Sequence, residues 1–262
     1  MHDWFDPDPY PRSSIDLADR VTHLVFVGGR LVDTWHERAA NTEWAAYVDR
    51  PAPPPPPPPP PAPPHDVQVL DWLAEVCGGP AALDALDAEP LTDDATDLPS
   101  DYPDQESRER LEATATLLDI VADRWFDPET AHAFRNALLA LWVEEPARVT
   151  QSRSAALLAG GVCWTVGKAN GLFHPSGSRR VGTVQDTLGL PGSLSTPGRE
   201  VSGALRGFRG HSSQPRPTGV PDLLPLWRSD VLLGATREQL VRLRDRARAA
   251  ESAEAGGPSQ QK

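Results

Sequence analysis

The amino-acid sequence predicts a mainly α-helical protein: a five-helix bundle around one buried central helix, with a smaller N-terminal segment and disordered linkers. Three observations predict it. From residue 107 apolar side chains return every three or four positions (Leu111, Ala115, Leu118, Val121, Ala122), which lays one stripe along a helix. Asp127-Pro128-Glu129 then supplies an N-cap, a first-turn proline and a first-turn acid, the signature of a new helix start. Finally, residues 155–170 are apolar on nearly every side and include Gly160, Gly161 and Gly167. A glycine inside a helix costs about 1 kcal/mol against alanine, so three of them imply close backbone packing and a central position.

Taken in order, residues 13–50 show no clean period. Ser13-Ser14 caps a helix with Ile15, Ala18, Val21 and Val25 on one face. Residues 21–35 equally fit two strands around Gly28-Gly29, and the run Leu24-Val25-Phe26-Val27 is ambiguous by periodicity. The helix is favoured because the rest of the chain is helical, and residues 36–48 read as a further short helix. Twelve of the 29 prolines fall within residues 51–64. Proline fixes φ and lacks an amide donor, so this tract reads as an extended rod of about 3.1 Å per residue. With no basic residue inside the run it reads as a spacer rather than a docking motif.

After the rod, Asp66 caps a helix with Val69, Leu70, Leu73 and Val76 inward. Gly78-Gly79 stops it, and Pro80 opens a short partner bearing Ala82, Leu83 and Leu86, a helical hairpin over 65–90. Residues 91–106 continue a stretch dense in Asp, Pro and Thr from 87 on, and read as a mobile acidic linker. The domain proper spans 107–210. Its third helix starts at Ser152 or Ser154, its fourth is capped by Thr183 and carries Val184 and Leu188, and its fifth opens at Thr196-Pro197 with Val201, Ala204, Leu205 and Phe208. A linker over 211–222, a docking segment and Thr236-capped helix over 223–252, and a disordered tail over 253–262 complete the chain.

Charge is unevenly spread. Residues 1–147 carry 29 acidic and 9 basic groups, a net −20, whereas residues 148–262 carry 8 and 16, a net +8. Within 148–211 only Asp186 and Glu200 oppose eight cations. Such asymmetry implies either an anionic partner for the second half or attraction between the halves. The sequence has no apolar run of about 18 residues and no basic, then apolar, signal segment at its start, so a cytoplasmic protein without membrane contact is expected. Cys77 and Cys163 sit in apolar helical patterns and read as small buried hydrophobes. Of 25 basic residues only Lys168 and Lys262 are lysine, a bias that suggests a high-GC bacterial genome.

No catalytic constellation emerges. The seven histidines (His2, His23, His36, His65, His132, His174, His211) lack metal-ligand spacing, and no nucleophile elbow, phosphate loop or dinucleotide fingerprint occurs. Neither a metal nor a cofactor is expected. Glu144-Glu145 reads as a solvated helix end, and Asn170 as the cap of the third helix. Trp4-Phe5-Asp6-Pro7 echoes Trp125-Phe126-Asp127-Pro128.

The stretch AALLAGGVCWTVGKANGLFHPSG, with TVQDTLGL and REVSGALRGF after it, resembles an uncharacterised bacterial domain-of-unknown-function family over about 107–210. His174 stands where that family has Asp. Five helices around a central one also look like a cyclin box, and the resemblance implies a helix-turn-helix-like end. Such an end would make the protein a non-enzymatic regulator contacting nucleic-acid phosphates through Arg179, Arg180, Arg199, Arg206 and Arg209. Pro197 and Gly198 at the start of the would-be recognition helix weigh against base reading. The alternatives are a protein-protein interaction module with a polyproline spacer, and an enzyme of unrecognised type.

Overall fold

The computed structural model describes residues 20–47, 62–94, 96–173, 179–209 and 215–255. The chain forms two compact units, Met1–Pro61 and Ala62–Lys262. Within the first, β1 (Arg20–Val27) and β2 (Arg30–Arg38) pair antiparallel, which corrects the helix favoured for this region. The reason is local: Gly28 and Gly29 both take positive φ, 58° and 76°, as a tight two-residue hairpin turn demands. His23 stacks on Trp35 with ring centroids 4.8 Å apart, and its Nε2 lies 2.7 Å from Glu37. In place of the short helix expected over 36–48 are two 3₁₀ turns, Ala39–Asn41 and Ala45–Tyr47. Thr42 separates them, its hydroxyl donating to Ala39 O and accepting from the Trp44 amide, so the side chain competes with helical bonding. The Trp4 echo and residues 51–61 of the proline tract lie outside the described residues.

The second unit is mainly helical. Its helices are α1 (His65–Cys77), α2 (Pro80–Asp84), α3 (Gln105–Trp125), α4 (Pro128–Glu144), α5 (Pro146–Thr150), α6 (Ala155–Ala169), α7 (Val181–Thr187), α8 (Ser195–Arg206) and α9 (Gly234–Ala255). The central helix is α6, which has no exposed residue and packs against α3, α4 and α8. Its glycines explain the approach: a Cβ on Gly161 would stand 3.0 Å from Pro197 O, and one on Gly198 would overlap the Trp164 ring. The Thr165 hydroxyl bonds Gly198 O at 2.9 Å across the same crossing.

Several starts were legible and several were not. Asp127 caps α4 through the Thr130 amide (2.8 Å), and Ser154 caps α6 through the Leu157 amide (3.1 Å). Asp104 caps α3, which begins at Gln105, two residues before the expected start at 107. Asp66, Thr183 and Thr236 cap nothing. Asp66 is buried in the first turn of α1, after Pro64; Thr183 and Thr236 lie inside α7 and α9, which begin at Val181 and Gly234.

The acidic stretch after α2 is also not the free linker expected. Leu91, Leu98 and Tyr102 pack on the core, and the Leu91 amide donates to Glu129 Oε1 (2.9 Å), which also accepts from the Gly234 amide (2.6 Å). One carboxylate on the first turn of α4 thus fastens both the strap and the start of α9. The segments separated in the sequence as 65–90, 107–210 and 223–252 share one hydrophobic core, with Leu73, Leu83, Leu138, Val162, Leu226 and Leu240 all in it.

Candidate protein-docking groove

A concave surface of about 500 Å³ lies where α1 and the end of α8 meet the chain before α9. It is built from the residue upward. Gly78, in left-handed conformation, ends α1 and leaves carbonyls free at its last turn. The 223–228 segment uses them: the Trp227 amide donates to Glu75 O (3.0 Å) and the Arg228 amide to Val76 O (3.3 Å). Buried Leu223 and Leu226 anchor this segment in the core. Trp227 itself takes φ 57°, a strained setting for an aromatic residue, and a Cβ at Gly78 would crowd its carbonyl at 2.9 Å. The strain is locked in from both sides, by the two amide bonds and by the missing side chain of Gly78.

Trp72 of α1 forms another part of the lining, with Pro63, Pro80 and Pro225 as further apolar wall. Asp71 and Glu75 lie four residues apart on α1 and both reach the groove. Arg206 and Arg216 line it too, and Arg216 is paired with Asp222. Burial holds the Arg206 guanidinium below its usual range, while its Nε bonds Ser202 O at 3.1 Å.

The five arginines expected to form a phosphate face do not share one set of neighbours. Arg179 lies over the Phe126 ring (5.1 Å) and beside Asp127. Arg180 is exposed ahead of α7. Arg199 and Arg206 are seven residues apart on α8, hence two turns apart on one side, and Arg199 Nε bonds Ser195 O at 3.2 Å. Arg209 follows α8 and bonds Trp227 O at 3.5 Å, beside the groove that Arg206 lines. The start of α8 is committed to packing, with Pro197 and Gly198 buried against α6.

Four basic residues further along are spent within the unit. Arg237 meets Asp87 at 3.3 Å, Arg228 bridges Glu144 (2.8 Å) and Asp230 (2.7 Å), and Arg248 pairs with Asp84. Arg244 donates to the carbonyls of Leu83 (3.0 Å) and Leu86 (2.8 Å), where α2 ends. Glu144-Glu145 is thus an ion-pairing helix end, since Glu145 meets Arg148 at 3.4 Å. A second cleft, about 480 Å³ between the starts of α6 and α8, has its Arg148 already engaged by Glu145 and, at 3.5 Å, by Glu200.

Asn170, the polar residue singled out in the family-like stretch, ends α6 and is a buried clip. Its amide donates to Val166 O (3.0 Å) and Val231 O (2.9 Å), and its carbonyl accepts from the Leu233 amide (2.8 Å). His174, where the family-like stretch departs, lies outside the described residues. Among the described residues no cluster of His, Cys, Asp and Glu could hold a metal, and no helix is long and apolar enough to cross a membrane. The groove was not legible in the sequence because it forms from residues about 150 apart, and nothing in the α1 pattern marks Trp72 as more than a neighbour of the core stripe.

Compared with known proteins, the chain matches no family model, and neither a curated protein nor a solved structure matches it.

Proposed function

We propose that the protein is an interaction module that docks a segment of another protein in the groove between α1 and Trp227. The observation that carries this reading is Trp227 itself, held in a strained backbone at the wall of a concave, partly apolar surface. Strain at a bulky residue persists only where the surroundings over-determine it, and concave surfaces with a few convergent polar groups are where proteins take up ligands. Tryptophan and arginine, both present here, dominate binding energy at protein interfaces.

Nucleic-acid binding is the competing reading, favoured by the exposed Arg180 and by Arg199 and Arg206 on one side of α8. Two measurements separate them. Peptides selected by display on the full chain are expected to bind about tenfold more weakly to Asp71→Arg, a change on the exposed rim of the groove. Titration with duplex DNA is expected to show no steep salt dependence. Five arginines neutralising phosphates together would instead give a slope of about −4.5 in log affinity against log salt, reduced by about 2 in Arg179→Ala with Arg180→Ala. That slope, with peptides indifferent to Asp71→Arg, overturns the docking reading.

A further inference from the structure

The geometry points to a definite occupant for this groove: a proline-rich segment of a partner protein in the left-handed polyproline conformation, with an arginine or lysine beside its prolines. The inference rests on the docking reading above and adds the chemistry of the ligand.

Hydrogen-bond arithmetic selects the backbone. Neither Trp72 nor Trp227 has a hydrogen-bond partner for its indole N–H among the described residues. Two indole donors without an acceptor thus stand in the groove wall, one on the buried Trp72, 6% exposed, and one on the half-buried Trp227. A helical ligand has already satisfied most of its carbonyls internally, and an added strand brings amide donors that need acceptors. A polyproline segment brings neither problem: proline has no N–H, and the extended left-handed helix has no internal hydrogen bonds, so every carbonyl is free to accept. Its flat rings stack on aromatic and proline walls, and its stiffness leaves little conformational entropy to lose on docking.

Charge selects the flank. Asp71 and Glu75 lie one turn apart on either side of Trp72 in sequence, and neither carboxylate has an ion-pair partner among the described residues. On the other wall Arg216 is already paired with Asp222. Arg206 bonds Ser202 O and Arg209 bonds Trp227 O at the α8 end, so cations gather there while the carboxylates without an ion-pair partner lie along α1, and the incoming segment carries its cation on the α1 side.

The test uses the full chain and a synthetic ten-proline peptide bearing an N-terminal arginine, followed by calorimetry and tryptophan fluorescence. Saturable binding is expected, weakened about tenfold when the peptide arginine becomes glutamate and about tenfold by Asp71→Arg. Trp72→Phe keeps a ring and removes one donor, and is expected to weaken binding about fivefold, the worth of one hydrogen bond. Thermal melts confirm that each variant is folded, and Asp71→Arg, on an exposed position, keeps the test open if Trp72→Phe does not fold. Display-selected peptides without proline that bind, and lose affinity with Asp71→Arg while the proline peptide stays unbound, overturn the occupant and leave the docking reading standing. Self-association of the chain in sedimentation that Asp71→Arg abolishes assigns the groove to a second copy and overturns it equally. Indifference of both peptide classes to the variants removes the inference and the docking reading together.

Discussion

Asn170 shows how much one side chain can hold. It stands at the end of α6 and makes three buried bonds, two of them to the segment that leads into α9. Removing it leaves the Leu233 amide and the Val231 carbonyl buried without a partner, and each such orphan costs about 1–3 kcal/mol. Asn170→Ala is therefore expected to lower stability by more than a single hydrogen bond, and to raise amide exchange at Leu233 ahead of the rest of the core. Asn170→Asp retains the acceptor for Leu233 but loses both donors, so it should protect that amide while still destabilising. Unchanged exchange at Leu233 in Asn170→Ala would mean that the clip holds nothing. The residue was recognisable in the sequence as a cap; its second partner, 61 residues away, was not.

The α6–α8 crossing is the element on which the bundle turns, and the energetic logic there is steric. A Cβ at Gly160 meets the ends of Leu194 and Leu190, which can swing aside, whereas one at Gly161 meets the backbone of Pro197 and the methyl of Val201, both at 3.0 Å. Gly161→Leu is expected to cost about 1–3 kcal/mol or more through overpacking, read as a lowered melting temperature. Gly203, exposed on α8 with open space around it, is the control: alanine there should gain up to about 1 kcal/mol of helix propensity. A Gly161→Leu variant as stable as the parent would remove α6 from the centre. Gly160 and Gly161 made this crossing legible in the sequence, because glycine inside a helix is costly unless a neighbour needs the space, whereas Gly167 makes room for the Phe173 ring. Caps were legible where aspartate or serine stood at the boundary, as at Asp127, where burial raises the carboxyl pKa but the Thr130 bonds and Arg179 outweigh it and hold it low. They failed at α1, α7 and α9, where the expected caps Asp66, Thr183 and Thr236 fall inside the helix. The hairpin was not legible for a different reason: its strands of eight and nine residues are mostly exposed, so no buried face imposes a clean alternation that separates them from a helix.

At the scale of the second unit, the question is whether α1 and α2 belong to the same cooperative body as the bundle, since the sequence set them apart as a hairpin before a linker. Shared core residues, the Glu129 clip and the Arg237, Arg244 and Arg248 contacts to residues 83–89 argue for one body. The two cysteines test it, because Cys77 closes α1 and Cys163 lies in α6, and both are free and buried. Burial pushes the Cys77 thiol from 9.0 up to about 12, against the lowering pull of Arg237 and Arg244, and pushes Cys163 up as well. A thiol whose folded pKa is raised stabilises the fold fully below its unfolded value, and that contribution is lost as pH rises toward the folded value. Stability should therefore decline from about pH 9 toward pH 12, and replacing Cys77 by alanine should flatten part of that decline. At neutral pH neither thiol should react with a thiol reagent in the native protein, and both should become reactive in one denaturant transition that coincides with loss of helical signal. If Cys77 is released at lower denaturant than Cys163, residues 65–90 open independently of the bundle. The groove, whose α1 wall would then come and go, could not hold Trp227 in its strained setting.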